Sequence, residues 1–425
     1  MIADILRSVH CLNRIRAKER ASLETLSAYQ FERMKSLVGH AYERVPYYRH
    51  AYGKAGLHPS MIRSWDDFRR LPMLTKQDRR SNPADDFLVS GTDKARVWTS
   101  QTTGSSGIPI TVWRDAESAA WDRALMNYGF GKLGIRPYHR FCQISAILSE
   151  KPARPGPFAK LGFKRTHIVS LRQPDEIILR EMEALKPDVV YTFPSVLLRL
   201  SEALKRGKAS VSPRWLIAQG EVLPDSWRST IEEAFGAPLY HTYGATEIAR
   251  IGFECRWHQG YHLIPDAAVV EVLKDGRPAA PDEEGDLVIT GLNSRLSPFI
   301  RYQIGDRGIL SRAVCPCGLT LPLLKNVVGR SDDFLVLPSG RKVSARAVTH
   351  MRFDGILQYK IVQKSPAHLQ VLVIPSETFG ENTAAEIRKV LDGAFFGEPL
   401  EIEILKTESL PVSRTGKLQL VMREF

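Results

Sequence analysis

The sequence predicts an α/β protein: a large N-terminal domain with parallel sheets flanked by helices and a small barrel-like subdomain, then a small α+β domain. Three observations predict it. From Val97 onward, short apolar runs alternate with amphipathic segments of ten or so residues, as strands and their covering helices do in a parallel sheet. Residues 262–311 instead hold short strands joined by Gly, Pro and Asp turns, which suggests an antiparallel or barrel-like subdomain. The tail, from about residue 331, repeats strand and helix periods on a smaller scale. The boundary falls near Gly329-Arg330-Ser331-Asp332, giving domains 1–329 and 330–425.

Ile2, Ile5, Leu6, Val9, Leu12 and Ile15 recur at helical spacing with arginines between them, a basic amphipathic helix that either docks on the body or meets a lipid or partner surface. Residues 22–53 read as helical, and Pro72 and Pro83 break up a loop-rich stretch. A β-prone segment, Val97 to Gln101, precedes the loop Thr102 to Pro109 (TTGSSGIP). Strands are predicted at 140–147, 188–193, 214–218 and 238–242, with helices at 176–185, 195–206 and 226–235 between them. The tail offers strands at 357–363, 367–374 and 400–406 and a helix at 381–394.

Bulk composition narrows the function classes. The chain has 425 residues, 43% hydrophobic and 25% charged, enough apolar mass for two or three cores. It contains no apolar run long enough to span a membrane. Arg7, Arg14, Arg16, Lys18 and Arg20 leave no apolar core for a secretory signal in the first twenty residues, so a cytoplasmic protein is expected. The net charge of +12 favours anionic partners: nucleotide, coenzyme A, an acidic carrier protein or a lipid surface. No nucleic-acid-binding signature is present. Five cysteines, an odd number, argue against a disulfide framework.

Glycines and hydroxyls in TTGSSGIP can wrap a phosphate chain, although it lacks the Gly-Lys-Ser/Thr ending of a Walker loop. Four more motifs follow: TYGATE (Thr242 to Glu247), RYQIGD (Arg301 to Asp306), GRSDD (Gly329 to Asp333) and LPVSRTGK (Leu410 to Lys417). Their order and spacing resemble the adenylate-forming superfamily of acyl- and aryl-CoA synthetases, adenylation domains and luciferases. The stretch from Gln30 to Tyr52 and LPMLTKQDRR are similar to the opening of its phenylacetate–CoA ligase-like branch. The resemblance runs from about residue 20 to the end.

The resemblance implies a reaction and a role for each residue. A carboxylic acid, aryl or fatty, attacks the α-phosphorus of ATP·Mg²⁺; the acyl-AMP then passes to the thiol of coenzyme A or of a carrier protein's phosphopantetheine. Thr103, Gly104, Ser105, Ser106 and Gly107 wrap the β- and γ-phosphates, with Ile108 where the superfamily usually has lysine and Arg114 as a candidate for the missing charge. Gln219, Gly220 and Glu221 pass beside adenine. Tyr243 and Gly244 flank it, Thr246 meets the α-phosphate and Glu247 binds Mg²⁺. Asp306, an acceptor for two hydroxyls, takes the ribose, although Ile304 stands where threonine is usual. Arg330 reaches the ribose or phosphate. Asp332 is the hinge of a mobile C-terminal lid, and Lys417 neutralises charge on the pentacoordinate phosphorus. The acid pocket falls on Tyr191, Phe193 and Ser195, with Phe141 and Tyr240 as further candidates; Ser195 also reads as the cap of the next helix. Alone, each reading has a plainer counterpart: TYGATE as a strand-to-helix turn, the aromatics as core, Lys417 as a solvated lysine.

A second constellation lies at 250–320. Cys255-x-x-His258 and Cys315-x-Cys317 supply three thiolates and an imidazole, a set suited to a closed structural zinc site. Cys11 and Cys142 lie outside it. Two rival functions keep the fold: transfer of the acyl group to an amine or hydroxyl, and non-catalytic nucleotide or acyl binding.

Overall fold

The computed structural model describes residues 2–101, 110–146, 165–207, 209–328, 334–344, 348, 353, 355–395, 397–413 and 416–425. The chain forms two compact units, each from two segments: Met1–Ile135 with Thr242–Val327, and Arg136–His241 with Val328–Phe425. The sequence division at 329/330 lies beside one of these crossings. The C-terminal segment clusters with residues 136–241.

The first segment is helical: α1 (Ile2–Arg16), α2 (Leu23–Arg44), α3 (Pro46–Lys54), α4 (Trp65–Arg69) and α5 (Lys76–Ser81), then the hairpin β1 (Trp98–Gln101) and β2 (Thr111–Arg114) and helix α6 (Ala116–Lys132). Local chemistry sets the helix starts. Ser22 caps α2, Pro46 opens α3 at its first turn, and Thr75 with Asp78 forms a reciprocal capping box at α5. The buried face of α1 carries Cys11 and Ile15, and Ser8 accepts from Arg123 of α6 at 3.1 Å; Leu6 and Val9 stay exposed.

The second segment alternates β3 (Arg140–Ser145), β4 (Arg165–Ser170), α7 (Asp175–Leu185), β5 (Val189–Thr192), α8 (Pro194–Lys205), β6 (Trp215–Gln219), α9 (Asp225–Phe235) and β7 (Leu239–Ala245), which leads into the next segment. Its strands run in the order β7-β6-β5-β3-β4, with parallel pairing from β6 to β4. Val189 to Thr192 are all buried, as a strand covered on both faces requires. Left-handed residues, Lys186 and Gly236, close α7 and α9.

The third segment is antiparallel: β8 (Ala249–Phe253), β9 (Tyr261–Leu263), β10 (Ala268–Lys274), β11 (Arg277–Pro278), β12 (Glu284–Gly291), β13 (Tyr302–Ser311) and β14 (Leu323–Val328). These follow β7 in the linear order β11-β10-β12-β13-β14-β9-β8-β7. The stretch read as barrel-like is this ladder. Buried Arg301 fastens helices to it, pairing with Glu271 at 3.1 Å and donating to the Leu71 carbonyl at 2.7 Å. Leu74 exchanges backbone bonds with Arg301 and Gln303, which places α5 beside Tyr302.

The fourth segment holds β15 (Phe334–Val336), β16 (Lys342–Ser344), β17 (Ile356–Ser365), β18 (His368–Pro375), α10 (Glu381–Ala394), β19 (Glu401–Lys406) and β20 (Val421–Arg423). Its four-stranded sheet has the order β19-β18-β17-β20, and its apolar side chains join those of residues 142–239 in one core. Among the described residues, no helix is long and apolar enough to cross a membrane.

Candidate active site

In the first unit, TYGATE forms the end of β7 and the turn into β8, a strand–turn–strand hairpin where a strand-to-helix turn was the plainer reading. Gly244 is required there: a Cβ would stand 2.5 Å from the Ala249 carbonyl oxygen. Two tyrosine–carboxylate bonds then cross between this hairpin and β13. Tyr243 donates its hydroxyl to Asp306 at 2.8 Å, and Tyr302 donates to Glu247 at 2.9 Å. Burial pushes the Tyr243 hydroxyl well above its usual range, and the Asp306 carboxylate adds to the shift, so Tyr243 stays a donor. Its ring lies 5.7 Å from that of Tyr261.

Glu247 is 7% exposed. Tyr302 donates to Oε1 and so positions the carboxylate. Two arginines interact with Glu247 electrostatically. Arg79 of α5 is buried between Phe87 and Phe299 at 4.0 and 4.7 Å and donates to the Thr111 carbonyl at 2.6 Å. Burial lowers its pKa to about 10, while Tyr302 and Glu247 are among the groups that oppose the fall. Arg114 donates to the Thr246 carbonyl; burial lowers its pKa too, against Asp122 and Glu247. Arg79 and Tyr302 went unassigned in the sequence, although both lie inside stretches that carried the resemblance.

In the second unit, the parallel strands end in the other candidates. Tyr191, near the end of β5, donates to the Gln219 side chain at the end of β6. Tyr191 and Phe193 are buried, and both lie at the carboxyl edge of the sheet, where open α/β sheets bind ligands. Phe141 shares the Tyr191 face but sits one pleat repeat, roughly 6.6 Å, further from that edge. Tyr240 is buried on β7, three residues before Tyr243 and so on the opposite face of the strand.

Ser195 does not cap α8. Phe193 holds the cap position, and Pro194 begins the helix; the Ser195 N–H and Oγ are instead taken by Glu221 at 3.0 and 3.1 Å. Lys417 lies against Gly220, whose added Cβ would come within 3.1 Å of its Cε and 3.2 Å of its Nζ. Gly220 has φ +76, so the absent side chain and the left-handed backbone both suit glycine. Thr103, Gly104, Ser105, Ser106, Gly107, Arg330 and Asp332 lie outside the described residues.

The cysteine cluster forms, with one change of ligand. Cys255, His262, Cys315 and Cys317 place their donor atoms within 4.8 Å of one another. Cys255 Sγ is 3.5 Å from Cys315 Sγ, and Cys317 Sγ is 3.3 Å from His262 Nε2. The sulfurs are too far apart for a disulfide and close enough to share one tetrahedral ion. The imidazole expected from His258 comes from His262. His258 sits in the turn after Cys255 with φ +48, and its Nδ1 faces Glu254 at 3.3 Å. Burial lowers the His262 pKa to about 4, leaving the ring neutral as a ligand must be.

The AMP-binding enzyme family matches residues 161–294. Phenylacetate-coenzyme A ligase of Escherichia coli strain K12 is 30% identical over 348 residues, covering 75% of this chain and 74% of that protein. Phenylacetate-coenzyme A ligase of Thermus thermophilus is 28% identical, covering 94% of this chain and 96% of that one. A crystal structure of 2-hydroxyisobutyryl-CoA ligase in the postadenylation state has the same fold, with TM-score 0.78, 22% identity, and 96% and 91% of the two chains covered.

Proposed function

The chain belongs to the phenylacetate–coenzyme A ligase family of AMP-binding enzymes, and on that premise we propose that it activates an aryl carboxylic acid with ATP and passes the acyl group to coenzyme A. The crossed pair of tyrosine–carboxylate bonds carries the reading at the level of the site. It holds two acidic groups ready for different tasks, one for the ribose hydroxyls and one for a cation.

A carboxylate oxygen of the acid bonds to the α-phosphorus of ATP, the bond to the bridging oxygen breaks, and pyrophosphate leaves. The coenzyme A sulfur then bonds to the acyl carbon, AMP leaves, and the thiol proton goes to solvent. Asp306, fixed by Tyr243, accepts from the ribose. Glu247, fixed by Tyr302, would hold magnesium, whose charge offsets that of the phosphate oxygens. Lys417 supplies a compact positive charge to the crowded phosphorus. The 330–425 segment would turn about Asp332 between the two steps. An aryl substrate is supported by the relatives' names and by the aromatic side chains Tyr191 and Phe193 at the sheet edge.

The structural metal belongs to the same reading. Cys255, His262, Cys315 and Cys317 would hold one zinc ion with no open coordination position, clamping the turn after β8, strand β9 and the loop before β14.

Pyrophosphate exchange with a panel of aryl, fatty and amino acids tests the proposal. Acid-dependent exchange, followed by a coenzyme A thioester on adding coenzyme A, is the expected result. No exchange with any acid would overturn it, and an amide or ester formed in place of the thioester would move the acceptor to an amine or hydroxyl.

A further inference from the structure

The segment that carries Lys417 is fastened by one carboxylate. Glu221 Oε1 accepts from the Leu418 backbone N–H, next in sequence to Lys417, and from Ser195 Oγ at 3.1 Å; Oε2 accepts from the Ser195 N–H at 3.0 Å. Ser195 lies in the first turn of α8, a twelve-residue helix whose N-terminal dipole favours an anion. A second bond ties the same parts, from Gln358 Nε2 of β17 to the Ser195 carbonyl at 2.8 Å. The lysine loop is closed on itself: the Ser413 N–H donates to the Lys417 carbonyl at 2.8 Å, and the Lys417 N–H donates to Ser413 Oγ at 3.1 Å. Fixing Leu418 therefore fixes Lys417 and its partner Ser413, with the Lys417 side chain laid along Gly220.

A helix start needs no buried glutamate from another loop. Burial raises the Glu221 pKa to about 7, so holding it ionised is costly, and Lys417 is among the groups that lower it again. The carboxylate thus has two links to Lys417, through the Leu418 N–H and through charge.

We propose that Glu221 is a positioning residue for adenylation: it latches Leu418, and with it Lys417, to the start of α8, holds Lys417 over Gly220, and has no part in thioester formation. The proposal rests on the two-step ligase reading above.

The test uses the full chain with Glu221→Gln, Glu221→Ala, Lys417→Ala and the Glu221→Gln/Lys417→Ala pair. It measures pyrophosphate exchange with an acid that the wild type accepts, and thioester formation from the preformed adenylate of that acid plus coenzyme A. Glu221→Gln should lower exchange by about tenfold or more and leave the thioester step within about twofold of wild type. In the Lys417→Ala background it should cost no more than about twofold further, because both changes remove one function. Exchange retained by both Glu221 variants, a parallel fall in both steps, or full additivity with Lys417→Ala would overturn the latch. Glu221→Gln keeps the side-chain volume, so an early melt of Glu221→Ala alone leaves the comparison intact. Wild-type exchange with any acid keeps the ligase reading standing while the latch fails; no wild-type exchange removes both.

Discussion

Tyr302 is fully buried and donates to a carboxylate that is itself buried, so its hydroxyl holds the Glu247 side chain in place. Tyr302→Phe leaves Glu247 Oε1 without its donor. The expected cost is about 1–3 kcal/mol of stability, the penalty for a buried acceptor left unpaired, read by urea unfolding. The magnesium concentration for half-maximal exchange should also rise, since a loosened carboxylate must be ordered by the ion. Wild-type magnesium dependence in this variant would separate Glu247 from the cation. Glu221 gives a second prediction, in pH. Its folded pKa is raised from 4.5 to about 7, so the folded chain keeps a proton that the unfolded chain releases. The stability contributed by this group is full below about pH 4.5 and is lost as pH rises through about 7, by about 3 kcal/mol at about 1.4 kcal/mol per pKa unit. Glu221→Gln cannot titrate, so its stability relative to wild type should improve between pH 5 and pH 8 by roughly that amount. A constant difference across that range would show that the side chain ionises normally.

Strand β9 decides which histidine joins the cysteine cluster. His262 pairs in register with Phe253 of β8, which folds its ring back toward Cys255 and Cys317. His262→Ala should therefore lose tightly bound zinc, while His258→Ala should keep it, as metal analysis of the purified variants would record. The reverse pattern would restore His258 as the ligand. The sequence favoured His258 because Cys-x-x-His is a familiar spacing; antiparallel register, which brings residues seven apart into one cluster, leaves no local trace. Elements with a period of their own were readable: α7, β5, α8, β6 and α9 lie within one or two residues of their predicted spans. Buried strands and amphipathic helices write their environment into consecutive residues. Tyr302, Arg79 and the Glu221 latch depend on partners far away in the chain. Asp306 was readable as part of a motif, while the hydroxyl that aims Glu247 four residues earlier was not.

Net charge acts over the whole molecule. The chain carries 59 lysines and arginines against 47 aspartates and glutamates, and each substrate in the proposed reaction is an anion. A long-range field accelerates encounter with anions and has little hold on a substrate already bound. The two effects separate with salt, because screening shortens the reach of the field from about 30 Å at 0.01 M to about 8 Å at 0.15 M ionic strength. Raising salt across that range should lower kcat/KM for coenzyme A severalfold while kcat at saturation changes little. Pantetheine has the same thiol arm without the nucleotide phosphates, so its kcat/KM should stay nearly flat over the same range. A flat response for coenzyme A would mean that the positive charge is spread too evenly to guide the acceptor. Parallel falls for both thiols would place the salt effect on the protein itself and not on the approach of an anion.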